Sequence, residues 1–268
     1  MRQTLIALVA AIVCTAPLAA HDFWLAAENW SPAPGAPVTV TAGIGELFPT
    51  RTTFRTRDNW LADWRVIDAS GDAGIKSNFR TKDLVMATDV TLPASGAYLG
   101  VAVVSAQTIE MKGPEFTDYL KEEGLDQIVE ARRAAGETDK TTKERYARYA
   151  KIALRTGGGS GAHLSRPVGL KAEFVPATDP TAVRAGDPIT VQLLADGKPV
   201  ANATVAAVTA GAGGIQKATT DASGRATFKV DREGAWLIKT IHMVRLAPST
   251  DVEWESYWVT LAFHAASR

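Results

Sequence analysis

Residues 254–263 read WESYWVTLAF, and this stretch decides the fold. In an extended chain Val259, Leu261 and Phe263 fall on one face, while Trp258, Thr260 and the following His264 fall on the other. That is a strand with one strongly apolar face, and such a face must be covered by a second layer. Working outward, residues 167–264 hold further strand-like runs. Turn signals separate them at 196–199 (DGKP), 221–224 (DASG) and 232–234 (REG). About seven strands in roughly 100 residues is the count of an immunoglobulin-like sandwich.

The N-terminal part has similar character. Short runs at 37–43 (PVTVTAG), 84–92 (LVMATDVTL) and 96–105 (GAYLGVAVVS) alternate with Gly, Pro, Asp and Ser, as in a second antiparallel sandwich. Residues 115–156 differ. Phe116, Tyr119, Leu120, Leu125, Ile128 and Val129 recur at helical spacing. Thr141 and Glu144 make a capping-box spacing that predicts a second helix through Tyr146, Tyr149, Ala150 and Ala153. The sequence therefore predicts a mainly β chain: two immunoglobulin-like antiparallel β-sandwich modules with an inserted α-hairpin. The expected divisions are a signal peptide at 1–20, a first sandwich at 21–112 and a helical hairpin at 113–156. A Gly-rich linker at 157–166 and a second sandwich at 167–268 follow. The linker's GGGSG (157–161) lacks the Gly-Lys-Ser/Thr ending of a phosphate loop.

The 268 residues carry 29 Lys plus Arg against 29 Asp plus Glu. This balance argues against a nucleic-acid partner, which would call for a basic excess. Arg2, an apolar stretch over 5–13 and small residues at Ala19 and Ala20 read as a secretory signal, too short to span a membrane. Ala11, Ile12 and Val13 fit a lipobox before Cys14 poorly. Cleavage after Ala20 would remove Cys14, the single cysteine, and leave His21 first in a periplasmic or secreted chain. No later segment is apolar for long enough to cross a bilayer.

Four histidines are present: His21, His163, His242 and His264. Trimming before His21 would expose its α-amine beside its imidazole, a two-nitrogen chelate suited to Ni(II), Co(II), Cu(II) or Zn(II). The competing reading is a histidine that merely follows the cut. His242 shares a strand face with Trp236, Ile238 and Thr240, company that favours a buried, hydrogen-bonded ring over a ligand. His163 reads as a solvated loop residue, and His264 lies near the terminus as a possible additional ligand. Glu46 or Glu255 could contribute a carboxylate. Motifs of serine and zinc hydrolases are absent, and DASG is better suited to a hairpin turn than to calcium. The seven tryptophans either fill the cores or form a stacking surface, for which Trp24, Trp30, Trp60 and Trp64 are the candidates.

Residues 21–25 (HDFWL), 45–49 (GELFP), 119–126 (YLKEEGLD), 195–199 (ADGKP), 234–243 (GAWLIKTIHM) and 254–263 together resemble the DUF4198 family. That family is also described as nickel uptake substrate-specific proteins, or as periplasmic components of cobalt and nickel transport. The resemblance implies a periplasmic β-sandwich protein associated with Ni(II) or Co(II) uptake, with a membrane metal transporter as partner. His21 and His242 are the matched positions with metal-binding chemistry, and His264 lies just beyond the last block. The region from the 220s through Trp236 also resembles carboxypeptidase-regulatory-like or transthyretin-like modules, which keeps a structural or glycan-binding role open. The favoured expectation is a non-enzymatic metal-binding accessory using His21, His242 and His264. A copper-dependent oxidative enzyme built on His21 and a second histidine is the third alternative.

Overall fold

The computed structural model describes residues 21–45, 48–49, 60–82, 85–211, 214–248 and 250–268. The predicted signal peptide, Cys14 and Glu46 lie outside them. The N-terminal strands are β1 (Asp22–Ala27), β2 (Pro37–Gly45), β3 (Leu61–Asp68), β4 (Gly71–Asp72), β5 (Arg80–Lys82), β6 (Val85–Thr91) and β7 (Gly96–Met111). Helices α1 (Gly113–Glu122) and α2 (Asp126–Ala134) precede β8 (Thr142–Thr156). Then come β9 (Ala172–Pro176), β10 (Pro188–Ala195), β11 (Lys198–Pro199), β12 (Thr204–Thr209) and β13 (Gln216–Thr219). The chain ends with β14 (Arg225–Lys229), β15 (Gly234–Arg245) and β16 (Trp254–Ala265).

These strands make three layers. An eight-stranded sheet, ordered β13-β12-β15-β16-β8-β7-β3-β4, lies in the middle. Alternate residues of its central strands supply two different cores. Leu99, Tyr149, Ile238, Val259, Leu261 and Phe263 face a core shared with β9, β10 and β14. Tyr98, Ile152, Leu237 and Ala262 face a core shared with β1, β2 and β6. The protein is thus mainly β and sandwich-like, as the alternation in β16 predicts, but its two sandwiches lie back to back on one sheet.

The expected second helix does not form. Its residues make β8, which pairs antiparallel with β7 and parallel with β16. A central strand buried on both faces does not show clean alternation, so Tyr146, Tyr149, Ala150 and Ala153 also fit a helical period. Hydrogen bonding to two neighbouring strands overrides the weak local preference. The helical insert is real but ends at Ala134. Lys151 on β8 also ties the two halves together. It donates to Glu173 at 2.6 Å and to the Phe174 carbonyl at 2.8 Å, and both Lys151 and Glu173 are buried. Glu173 accepts from the Val168 and Gly169 amides as well, the saturation that a buried ion pair requires.

Helix α1 places Phe116, Tyr119 and Leu120 against Tyr146, Ile241, Met243, Trp254 and Trp258, a third cluster on the β1 side of the central sheet. Gly124 stops α1 with φ +71. The Leu125 amide then bonds the Leu120 carbonyl at 2.8 Å and the Gly124 amide bonds Lys121 at 3.1 Å, a Schellman ending. A side chain strains that left-handed position, so Gly124→Ala is expected to lower stability by roughly 1–2 kcal/mol in urea denaturation. An unchanged midpoint would contradict this reading of the turn.

Candidate metal centre

The sequence HDFWL is pinned from its second residue onward. Asp22 is 7% exposed, and Phe23, Trp24 and Leu25 are each at most 1% exposed. Strand β1 pairs with β2 from Asp22↔Gly45 to Ala27↔Val40. Its back lies on the central sheet, where the Thr260 hydroxyl donates to the Phe23 carbonyl at 2.8 Å. The half-buried His21 therefore stands at the head of an anchored strand, over the centre of the molecule.

Four ionisable side chains lie around that head: Arg148, Asp22, Lys239 and Glu123. Arg148, from β8, points an Nη2 at the His21 carbonyl at 3.4 Å. It is itself buried between the Tyr146 and Trp258 rings, at 4.8 and 5.5 Å. Burial pushes the Arg148 guanidinium down from its ordinary value, yet a guanidinium so far above neutrality stays charged. The Asp22 carboxylate forms an ion pair with the Lys239 ammonium of β15. Burial pushes the Asp22 carboxyl up, against the pull of Lys239, Arg148 and His21. Glu123, at the end of α1, is pushed up to about 7 by burial and by the negative charge of Asp22. Asp22, Glu123 and Lys239 share a cavity of about 100 Å³ that opens to solvent beside Ile215.

Behind Arg148 lies a second buried carboxyl. Glu144 is 2% exposed and accepts hydrogen bonds from the Tyr119 hydroxyl, at 3.2 Å, and the Ser256 hydroxyl. Burial lifts Glu144 to about 7, and these bonds and Arg148 offset the burial only in part.

The other histidines are elsewhere. His242 is paired with Tyr257, its ring 6.1 Å from that of Tyr257, on the face that meets the C-terminal core. His21, held by Arg148, is on the opposite face of the same sheet. Burial pushes the His242 imidazole down, although the residue is half-buried rather than the fully buried ring expected from its strand company. His264 shares the His21 face, its ring tilted at 36° to that of Trp30 with centroids 6.1 Å apart. It lies six residues along β16 from Trp258, the register partner of Arg148, so about 20 Å of strand intervenes. His163 bonds the Ala97 carbonyl at 3.1 Å and is half-buried rather than freely solvated. Glu255 is engaged by Arg145 at 2.7 Å and by the Tyr257 hydroxyl. The predicted trio His21, His242 and His264 is therefore not brought together.

Among the described residues, no group of three or more His, Cys, Asp or Glu side chains could hold a metal ion. What remains is the His21 ring and the backbone nitrogen that trimming would turn into an amine, next in the chain to Asp22, whose carboxylate shares a cavity with Glu123. Nitrogen with carboxylate oxygen suits borderline divalent cations and leaves positions for water. A second histidine at His21, which the copper reading needs, is absent among the described residues. Asp22 was legible only as the neighbour of His21; Glu123 and Lys239 lie within the blocks 119–126 and 234–243 but nothing in their spacing singled them out, and Arg148 carried no sequence signal. Of the four candidate surface tryptophans, Trp24 is buried, while Trp30, Trp60 and Trp64 are half-buried and pack in part against the N-terminal core.

A family described as a domain of unknown function, DUF4198, matches residues 18–244. No curated protein matches the chain. Among solved structures, the D0-D1 domain of Intimin is similar at 14% identity and TM-score 0.26, over 90% of this chain and 97% of that one. The Escherichia coli adhesin FdeC is similar at 12% identity and TM-score 0.25, over 94% of this chain and 65% of that one. No described helix is long and apolar enough to cross a membrane.

Proposed function

The chain belongs to the DUF4198 family, and from that premise we propose that it is a periplasmic, non-enzymatic accessory for nickel or cobalt uptake. It captures the ion through a mature N-terminal His21 and passes it to a membrane transporter. The observation that supports this reading is the anchoring of β1, which holds the buried Asp22, the residue that follows His21, in a cavity with Glu123. A floating N-terminus would lose binding energy to ordering; this one is ordered in advance. An amine, an imidazole and one or two carboxylates leave the ion partly hydrated, which suits capture and release better than permanent retention. Cu(II) and Zn(II) fit the same donors, so supply as well as affinity selects the cargo.

Native mass spectrometry of the exported protein tests this. The expected result is a chain beginning at His21 that retains one Ni(II) or Co(II). A different first residue, or a correctly trimmed chain that retains neither ion, would contradict the reading.

A further inference from the structure

We propose that Lys239 is a built-in counter-cation, seated on Asp22 until a divalent metal ion displaces it and takes the Asp22 carboxylate as a ligand beside His21. This deepens the function proposed above and rests on it. A carboxylate as buried as Asp22 cannot stand alone, since an unpaired buried charge costs several kcal/mol. In the metal-free chain the required positive charge comes from Lys239, on the strand register of Thr260 and under β1. A folded strand brings this lysine to the head of the chain from 217 residues away.

The residue type matters. An ammonium on a flexible four-carbon stem can withdraw, whereas a guanidinium locked in a bidentate pair would not. The Lys239 side chain is 23% exposed against 9% for Asp22, so the pair has a wet side on the lysine end. The cavity they share also holds Glu122, Lys217 and Glu123, and Glu123 already feels the charge of Lys239 as well as those of Glu122 and Lys217. Exchange therefore moves the ammonium from one carboxylate toward another inside the same cavity. Asp22 trades a hydrogen-bonded cation for a coordinated one, the ammonium keeps all its protons, and no covalent bond is made or broken. Arg148 stays in place on the His21 carbonyl throughout, holding the head of the strand while its neighbour changes partner.

The chemistry makes the site selective. To displace Lys239 an ion must repay the lost pair, and an ion that gains strong nitrogen ligands from His21 can do so. Mg(II) and Ca(II), which favour all-oxygen sites, gain little from an amine and an imidazole.

Acylation of the unaltered, correctly trimmed protein by an amine-reactive ester, read at Lys239 by peptide mass spectrometry, tests the exchange without any substitution. Lys239 is expected to react several-fold faster with saturating Ni(II) than without it, and no faster with Mg(II). Equal or slower reaction with Ni(II) would overturn the proposal. Calorimetric titration with Ni(II) gives an independent reading. Asp22→Asn is expected to weaken binding by about 10- to 100-fold. Lys239→Met is expected to tighten it, and the gain is expected to vanish in the Asp22→Asn background. Unchanged affinity in Asp22→Asn, or unchanged or weaker affinity in Lys239→Met, would overturn the exchange. If the trimmed wild-type chain binds no Ni(II), the function proposed above fails with it. If binding depends on His21 but is indifferent to Asp22 and Lys239, only the exchange fails.

Discussion

Replacing His21 by alanine is expected to weaken Ni(II) binding by about 100-fold. A four-ligand Zn(II) site yields about 10–16 kcal/mol, so one ligand carries about 3 kcal/mol, which corresponds to about two powers of ten in affinity. The loss should fall wholly on His21. His242 faces the C-terminal core beside Tyr257, on the other side of the central sheet. His264 lies against Trp30, far along β16. His242→Ala and His264→Ala are therefore expected to bind Ni(II) within about twofold of the parent, as independent distant sites do. Isothermal titration of the three variants decides the matter. A large loss in His242→Ala with none in His21→Ala would move the site to the opposite face. His21 is half-buried at the head of β1, and its variant is expected to fold as the parent does, read as a cooperative urea transition.

The second large effect is on stability. Glu144 titrates at about 7 in the folded protein against an ordinary value of 4.5. Its raised value means that the folded chain holds this proton more tightly than the unfolded chain does. The sign follows: the contribution is fully present below about pH 4.5 and is lost as pH rises through about 7. At about 1.4 kcal/mol per pH unit across that window, the loss is about 3 kcal/mol. Glu144→Gln keeps an oxygen that can accept from Tyr119 and Ser256 and never ionises. The variant is expected to be more stable than the parent by about 3 kcal/mol at pH 8 and equal to it at pH 4. Urea denaturation at several pH values reads this directly. Parallel pH profiles for parent and variant would show that Glu144 does not carry the buried charge.

What could be read from the sequence was local. The alternation of Val259, Leu261 and Phe263 marks β16 correctly, and His264 does leave the core of its own strand face. Asp196-Gly197 makes the predicted hairpin, with φ +50 and +71 at its two central residues between β10 and β11. The spacing of Phe116, Tyr119 and Leu120 does form a helix. Strand β8 misled because both its faces are buried, so no period distinguishes it. The site was half visible. His21 and Asp22 stand together in the chain, but the partners that give them chemistry arrive from α1, β8 and β15. Lys239 and Arg148 look like ordinary basic residues of strands until the fold brings them against Asp22 and the His21 carbonyl. Long-range pairing of that kind leaves no mark on composition, spacing or charge runs.

The most direct measurement is calorimetric titration of Ni(II) into two proteins that differ by one alanine placed before His21. The chain that starts at His21 should bind one ion, and the extended chain should bind about 100-fold more weakly, because its amine no longer closes a chelate with the ring. Equal affinity in the two would show that the backbone nitrogen of His21 is not a ligand.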